Sequence, residues 1–171
     1  MKMILFSGLP GTGKSLLAEA VGRELGIPVF AKDRLEAALL RSGWVSSNAK
    51  RNMGAAGYDM LTILAERQLI LNQSVILDSV ASTTSIRNTW RDIRNKYHAG
   101  WRVIECVCSD EVFHRTRLER RQRGIPGWHE LEWSEVERVR SYYAPWDEER
   151  LVLDSIQPFD ANLASALEYC R

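Results

Sequence analysis

The 171-residue chain is 45% hydrophobic and 26% charged with a formal net charge of +1, ordinary globular values that exclude collagen, coiled coil and a charge-driven disordered chain. At roughly 100–200 residues per domain the length predicts one domain. No apolar run approaches the roughly 18 residues of a membrane span, residues 1–6 are too short for a signal-peptide core, and so small a net charge does not advertise a nucleic acid or membrane as partner.

In chain order, residues 3–7 read as a buried strand that runs straight into Gly8-Leu9-Pro10-Gly11-Thr12-Gly13-Lys14-Ser15. Leu17, Val21 and Leu25 then recur every four residues, predicting a helix over 14–25 with Gly26 as its stop. A short strand over 27–30 and a helix over 33–40 follow, then a glycine-containing segment, 42–57. Beyond it come a helix (58–71), a strand (74–77), a helix (85–97), a strand (101–107) and a helix (110–121). A loop over 123–133, a helix (134–143), a strand (150–153) and a closing helix (159–169) complete the chain. Strands that are apolar on both faces and alternate with helices imply a three-layer α/β domain around a parallel sheet. Ligand sites are expected at the carboxyl ends of its strands, with segment 42–57 at that edge. No linker or internal repeat divides residues 1–171.

Three cysteines suit a reducing compartment and a cytoplasmic location. Cys106 and Cys108 fall on one face of a strand about 6.6 Å apart, poor geometry for a disulfide, and no histidine lies nearby to complete a zinc site.

The run from Gly8 to Ser15 matches G-x-x-x-x-G-K-[ST] in full and lies between a predicted strand and helix, the context a phosphate loop requires. Its glycines let successive backbone N–H groups curl around phosphate oxygens, and the helix that follows presents its positive end to the same anion. The nucleotide-binding set is therefore Gly8, Pro10, Gly11, Thr12, Gly13, Lys14, Ser15 and Leu16. Lys14 reaches the β- and γ-phosphates, and the Ser15 hydroxyl ligates Mg²⁺.

Which nucleotide chemistry follows depends on the remaining residues. The nearest text to a guanine-reading Asn-Lys-x-Asp is Asn95-Lys96-Tyr97-His98, inside a predicted helix and without the aspartate. After Val75-Ile76-Leu77-Asp78, Ser79 stands where an ATPase would carry a water-activating glutamate, so transfer to an acceptor is better supported than hydrolysis. Asp33 follows the second strand, at the rim beside the phosphate loop, where a carboxylate could take the proton of an acceptor hydroxyl. With Glu36 three residues on, it equally fits a helix N-cap and capping box. Arg115, Arg117, Arg120, Arg121 and Arg123 face one acid, Glu119, with Arg117, Arg120 and Arg121 on one helix face. Ahead of the loop Gly124-Ile125-Pro126-Gly127 they suit a hinged lid that brings arginine to phosphoryl charge; a solvated basic face is the alternative.

The phosphate loop, Asp33, Asp78 at the end of the third strand, and Arg117-Leu118-x-x-Arg121 resemble the small AAA-type P-loop kinases. The group is that of polynucleotide kinases, chloramphenicol phosphotransferases and zeta-toxin-like proteins, and the resemblance spans nearly the whole chain. It implies a sheet in the order 2-3-1-4-5, a lid over about 110–145, MgATP as donor and phosphorylation of a hydroxyl. It also implies Lys14, Asp33, Arg117 and Arg121 as the catalytic set, with Asp33 as general base and Asp78 holding Mg²⁺ through water; a strand-end cap is the alternative for Asp78. Polynucleotide kinases carry Asp-x-x-Arg after the second strand, whereas this chain has Glu36 at the fourth position. A small-molecule hydroxyl is therefore favoured over a 5′ nucleic-acid end, unless Arg34, Lys50 or Arg51 substitutes. An ATP-binding regulatory module or an ATPase without a kinase acceptor is the rival reading.

Trp44, Trp128, Trp133 and Trp146 lie in or near predicted loops and could stack on an aromatic acceptor or an unpaired base, although packing is the commoner explanation; Trp90 falls in a helix and suits the core. His98, His114 and His129 show no metal or nucleophile spacing and have no assigned role. Asp154, after Leu151-Val152-Leu153, resembles a family position that ends the fifth strand, and a turn or helix cap explains it as well; the loop Ser155-Ile156-Gln157-Pro158 after it is where such kinases hold adenine.

Overall fold

A computed structural model describes residues 1–43 and 50–171, and the side chains of all these except residues 50–52. Five parallel strands are β1 (Lys2–Ser7), β2 (Val29–Ala31), β3 (Val75–Asp78), β4 (Gly100–Val107) and β5 (Leu151–Asp154). They form one sheet in the order β2-β3-β1-β4-β5, the order expected. Seven helices among the described residues complete the order: α1 (Lys14–Leu25), α2 (Lys32–Arg41), α3 (Lys50–Ile70), α4 (Thr84–Lys96), α5 (Glu111–Arg120), α6 (Trp133–Arg140) and α7 (Phe159–Cys170).

The central strand divides the core. Met3 and Leu5 point to one face of the sheet, where they pack with Leu61, Ala65 and Leu69 of α3 and Trp90 of α4. Ile4 and Phe6 point to the other, against Leu17 and Val21 of α1 and Ala166 of α7. Both sets come from one period-2 run, so β1 is buried on both sides. Its register with β3, Phe6 opposite Asp78, and with β4, Ser7 opposite Glu105, brings three strand ends to one edge.

Two element boundaries differ from expectation for physical reasons. Gly26 caps α1 in the left-handed region at φ 65°, and Ile27 N–H closes back on Gly22 O at 2.9 Å. Ile27 thus belongs to the helix termination, and β2 begins at Val29. The helix expected from residue 58 begins earlier, inside the glycine-containing segment, because α3 starts at Lys50. Gly57 there allows close packing of helices, since a Cβ would come within 2.7 Å of Glu36 Oε1. The three cysteines are free. No helix of the described residues is long and apolar enough to cross a membrane.

Candidate active site

The phosphate loop joins β1 to α1 through three glycines with positive φ: Gly8 (135°), Gly11 (87°) and Gly13 (88°). L side chains rarely adopt these values. At Gly8 space is also absent, because a Cβ would lie 2.1 Å from Cys106 O of β4. Thr12 Oγ1 donates to Leu9 O at 2.9 Å and closes the turn. Gly13 is the N-cap of α1, so Lys14, Ser15 and Leu16 form the helix's first turn. The side chains of Lys14 and Ser15 face a cavity of about 600 Å³, while that of Leu16 faces solvent.

α5 holds the outer side of this loop. His114 Nε2 lies 2.8 Å from Pro10 O, Arg117 Nη2 donates to Gly11 O, and a Cβ on Gly11 would collide with both His114 and Leu118. His114 is buried, stands edge-on to Trp133 at 5.1 Å, and has its pKa lowered by burial against the bond to Pro10. A neutral ring with hydrogen on Nε2 donates to Pro10 O. This residue, without a role in the sequence reading, lies 104 positions from its partner, and no local pattern marks such a contact. Arg117 also reaches Ser155 Oγ at 2.9 Å, so it sits between the phosphate loop and the loop after β5. The Asp154 carboxylate ties that second loop, accepting from Ser109 N and Ile156 N at 3.2 Å each, which is the turn-cap alternative of its two readings.

The expected helix face of Arg117, Arg120 and Arg121 ends early. α5 stops at Arg120, and Arg121 is its C-cap with extended backbone, ψ 148°. The extended turn carries the Arg121 side chain away from Arg117 and into the cavity beside Lys14 and Asp33. There its Nε and Nη2 are buried without a hydrogen-bond partner. Burial, and then the nearby Arg123, lower its pKa. An unpaired buried guanidinium is costly unless an anion joins it.

Asp33 lies in the first turn of α2, whose N-cap is Ala31 with no side-chain cap. The capping-box alternative is thus overturned, and the box occurs at Glu132 and Glu135 of α6 instead. Asp33 Oδ2 pairs with Arg123 Nη1, while Glu36 pairs with Lys32 one turn along α2. Burial opposes the Asp33 charge, but Lys14, Arg123 and Lys32 outweigh it and hold the carboxyl below its usual range. Burial leads the opposite way at Glu36, whose pKa is raised despite Lys32. Arg34 points away to Glu19 of α1 at 2.8 Å and cannot stand in for the missing arginine. Lys50 and Arg51 lie outside the residues whose side chains are described.

Asp78 ends β3 at the floor of the site. Burial raises its pKa, offset in part by Lys14 and by the nearby Ser15 hydroxyl. Its Oδ1 is buried without a partner. A hydroxyl beside a buried oxygen with spare lone pairs fits Mg²⁺, a hard cation that keeps several waters. Among the described residues no cluster of His, Cys, Asp and Glu would hold a metal alone, so phosphate oxygens are needed to complete such a site.

Of the tryptophans, Trp90 and Trp146 are core, the latter under Arg87 at 3.7 Å, and Trp133 is buried against His114. Trp128 alone of those described lines the cavity, beside His129, which also had no assigned role. Trp44 lies outside the described residues.

Residues 3–145 match the model of an AAA domain family, AAA_33. The chain belongs to the AAA_33 family. No curated protein matches it. Among solved structures, this AAA_33 chain is similar to a sugar kinase from Janibacter sp. HTCC2649, with TM-score 0.73 and 17% identity over 99% of this chain and 94% of that one. It is also similar to Kti12 of Chaetomium thermophilum in complex with ADP-AlF3, with TM-score 0.68 and 20% identity over 97% and 95%. A gluconokinase from Sinorhizobium meliloti matches with TM-score 0.65 and 19% identity over 98% and 94%. The fold is that of the small P-loop kinases.

Proposed function

We propose that this AAA_33 protein is a kinase that transfers the γ-phosphoryl group of MgATP to a hydroxyl of a small molecule. The observation that carries the reading is the Arg121 guanidinium, buried with Nε and Nη2 unpartnered in the same cavity as Lys14 and Asp33. A cation left unpaired between a phosphate loop and a carboxylate suits charge that arrives only with the nucleotide.

In this reading the loop amides from Gly8 to Leu16 and the Lys14 ammonium cradle the β- and γ-phosphates. Ser15 and, through water, Asp78 hold Mg²⁺, which when bound neutralises phosphate charge. The acceptor hydroxyl gives its proton to Asp33 as its oxygen bonds to the γ-phosphorus, and the bond from that phosphorus to the β–γ bridging oxygen breaks, releasing ADP. Arg121 stabilises the transferred group. Arg117, bonded to Gly11 O and Ser155 Oγ, positions the phosphate loop from the nucleotide side. Residues 110–145 act as the lid of a single kinase domain. Glu36 in place of an acceptor-gripping arginine disfavours a 5′ nucleic-acid end. The similarity to a sugar kinase and a gluconokinase agrees with a small hydroxylated acceptor.

Arg121→Ala tests the role on which this reading rests. It should lower kcat by about a hundredfold or more while changing ATP affinity by only about threefold. An unchanged kcat with a true acceptor would contradict that role. Tight ATP binding with no transfer to any hydroxyl compound would favour a nucleotide-ordered regulatory module instead.

A further inference from the structure

The cavity has an asymmetry that the donor nucleotide does not account for. Among its described lining residues, the buried side-chain atoms without a hydrogen-bond partner are all donors: Arg121 Nε and Nη2, Arg123 Nε and Trp128 Nε1. All belong to one stretch, 121–128, which forms the wall opposite α2. The γ-phosphoryl group satisfies Arg121, next to Lys14, but leaves Arg123 and Trp128 wanting oxygen. Arg123 is only 13% exposed and already pairs with Asp33, so it stands one carboxylate away from the position of the reacting hydroxyl. After burial, its approach to Arg121 is the next cause that lowers the pKa of the latter, a like-charge repulsion that an intervening anion relieves. On the α2 wall the acids are already engaged: Asp33 by Arg123 and Glu36 by Lys32. A neutral acceptor that drew Asp33 away would leave the buried Arg123 guanidinium only the longer contacts to Glu130 Oε2, 3.8 Å from Nε, and His129 O, 3.4 Å from Nη2, whereas an acceptor bringing its own oxyanion keeps both ionised groups matched.

Resting on the kinase reading, we infer that the acceptor is a small hydroxylated anion whose carboxylate or phosphate lies on Arg123 and Trp128 Nε1 while its hydroxyl faces Asp33. Arg123 is thereby the specificity-determining residue of the acceptor site, and polyols that lack an acid group are poor ligands.

Calorimetric titration of the protein saturated with MgAMP-PNP, so that the phosphate loop is blocked, tests this with matched pairs. These are glycerol against glycerate and glycerol 3-phosphate, ribitol against ribonate, and glucitol against gluconate. In at least one pair the anion should bind about tenfold or more tighter than its neutral partner, and the carboxylate and phosphate arms identify which acid is read. That preference should shrink to about twofold in Arg123→Gln and survive in part in Arg123→Lys, with AMP-PNP affinity of both variants showing that they remain folded. Equal binding within every pair, failure of every anion to bind, or a preference unchanged in Arg123→Gln would overturn the inference. Label transfer from ATP separates the two proposals. Equal transfer to neutral partners keeps the kinase and defeats the anionic acceptor; anion selectivity without transfer to any hydroxyl does the reverse.

Discussion

Asp33 is placed to serve as a base but is held as one half of an ion pair. Its carboxyl lies below the usual range because Lys14, Arg123 and Lys32 together outweigh burial, so it stays ionised through the physiological range and is ready to accept a proton. A depressed folded-state pKa contributes stability that is present above the unfolded value of about 4 and lost as pH falls through the folded value. Asp33→Asn should therefore cost roughly 1 kcal/mol or less at pH 7, given the partial exposure of the carboxylate, and nothing near pH 2. ATP affinity should stay within about threefold while transfer falls on the order of a hundredfold. Thermal melts at the two pH values and single-turnover transfer read these effects separately, and retained transfer would remove Asp33 from the chemistry. Arg121 gives the reverse signature. Its guanidinium has no partner at Nε or Nη2, so Arg121→Met should leave the melting temperature unchanged or raise it, by up to about 1 kcal/mol in stability, while turnover is lost. A clear drop in melting temperature would mean that Arg121 has structural work in the free protein.

At the scale of elements, α5 joins the nucleotide side to the acceptor side. Its middle turn grips the phosphate loop through His114 on Pro10 and Arg117 on Gly11, and its end releases Arg121 and Arg123 into the cavity. His114→Leu removes the donor to Pro10 O and should weaken MgATP binding by about tenfold, whereas His114→Gln, which can still donate, should stay within about threefold. Burial depresses the His114 pKa, so wild-type stability should fall as pH drops below about 6.5 towards the folded value. The Gln variant should lose less over that window in thermal melts; an identical pH profile would contradict the neutral, buried state of this ring. None of this grip was legible in the sequence, because it joins positions more than 100 apart. The phosphate loop was legible, because glycines, lysine and serine within eight residues carry both its backbone and its chemistry. Asp33 was legible as a position after a strand but not as a partner of Arg123, 90 residues away. The start of α3 was hidden by Gly54 and Gly57, residues of low helix propensity; at Gly57 the missing side chain is what lets α3 pack against Glu36 of α2.

At the scale of the whole molecule, the sheet order was expected from a family resemblance and is the order observed. Parallel pairing of β1 and β2 with β3 then brings their carboxyl ends to one edge, so that Lys14, Asp33 and Asp78 converge although they lie on separate segments. The segment after α5 closes over them: Pro126 O accepts from Arg41 Nη1 of α2 at 2.6 Å, and Gly127 lies so close that a Cβ would sit 2.6 Å from Arg41 Cγ. One edge of the sheet thus supplies the phosphate loop, the candidate base and the candidate metal-binding carboxylate, and one helix-loop segment reaches the first two, through Arg117 on Gly11 O and Arg123 on Asp33. The most direct measurement of the central claim is transfer of γ-labelled phosphate from MgATP to a panel of hydroxylated sugars, sugar acids, nucleosides and 5′-hydroxyl oligonucleotides. Lys14→Ala and Asp33→Asn are run alongside. The expected result is label in one class of small acceptor, abolished without Lys14 and reduced about a hundredfold or more without Asp33. Saturable ATP binding with no labelled acceptor, or transfer indifferent to both substitutions, would contradict it.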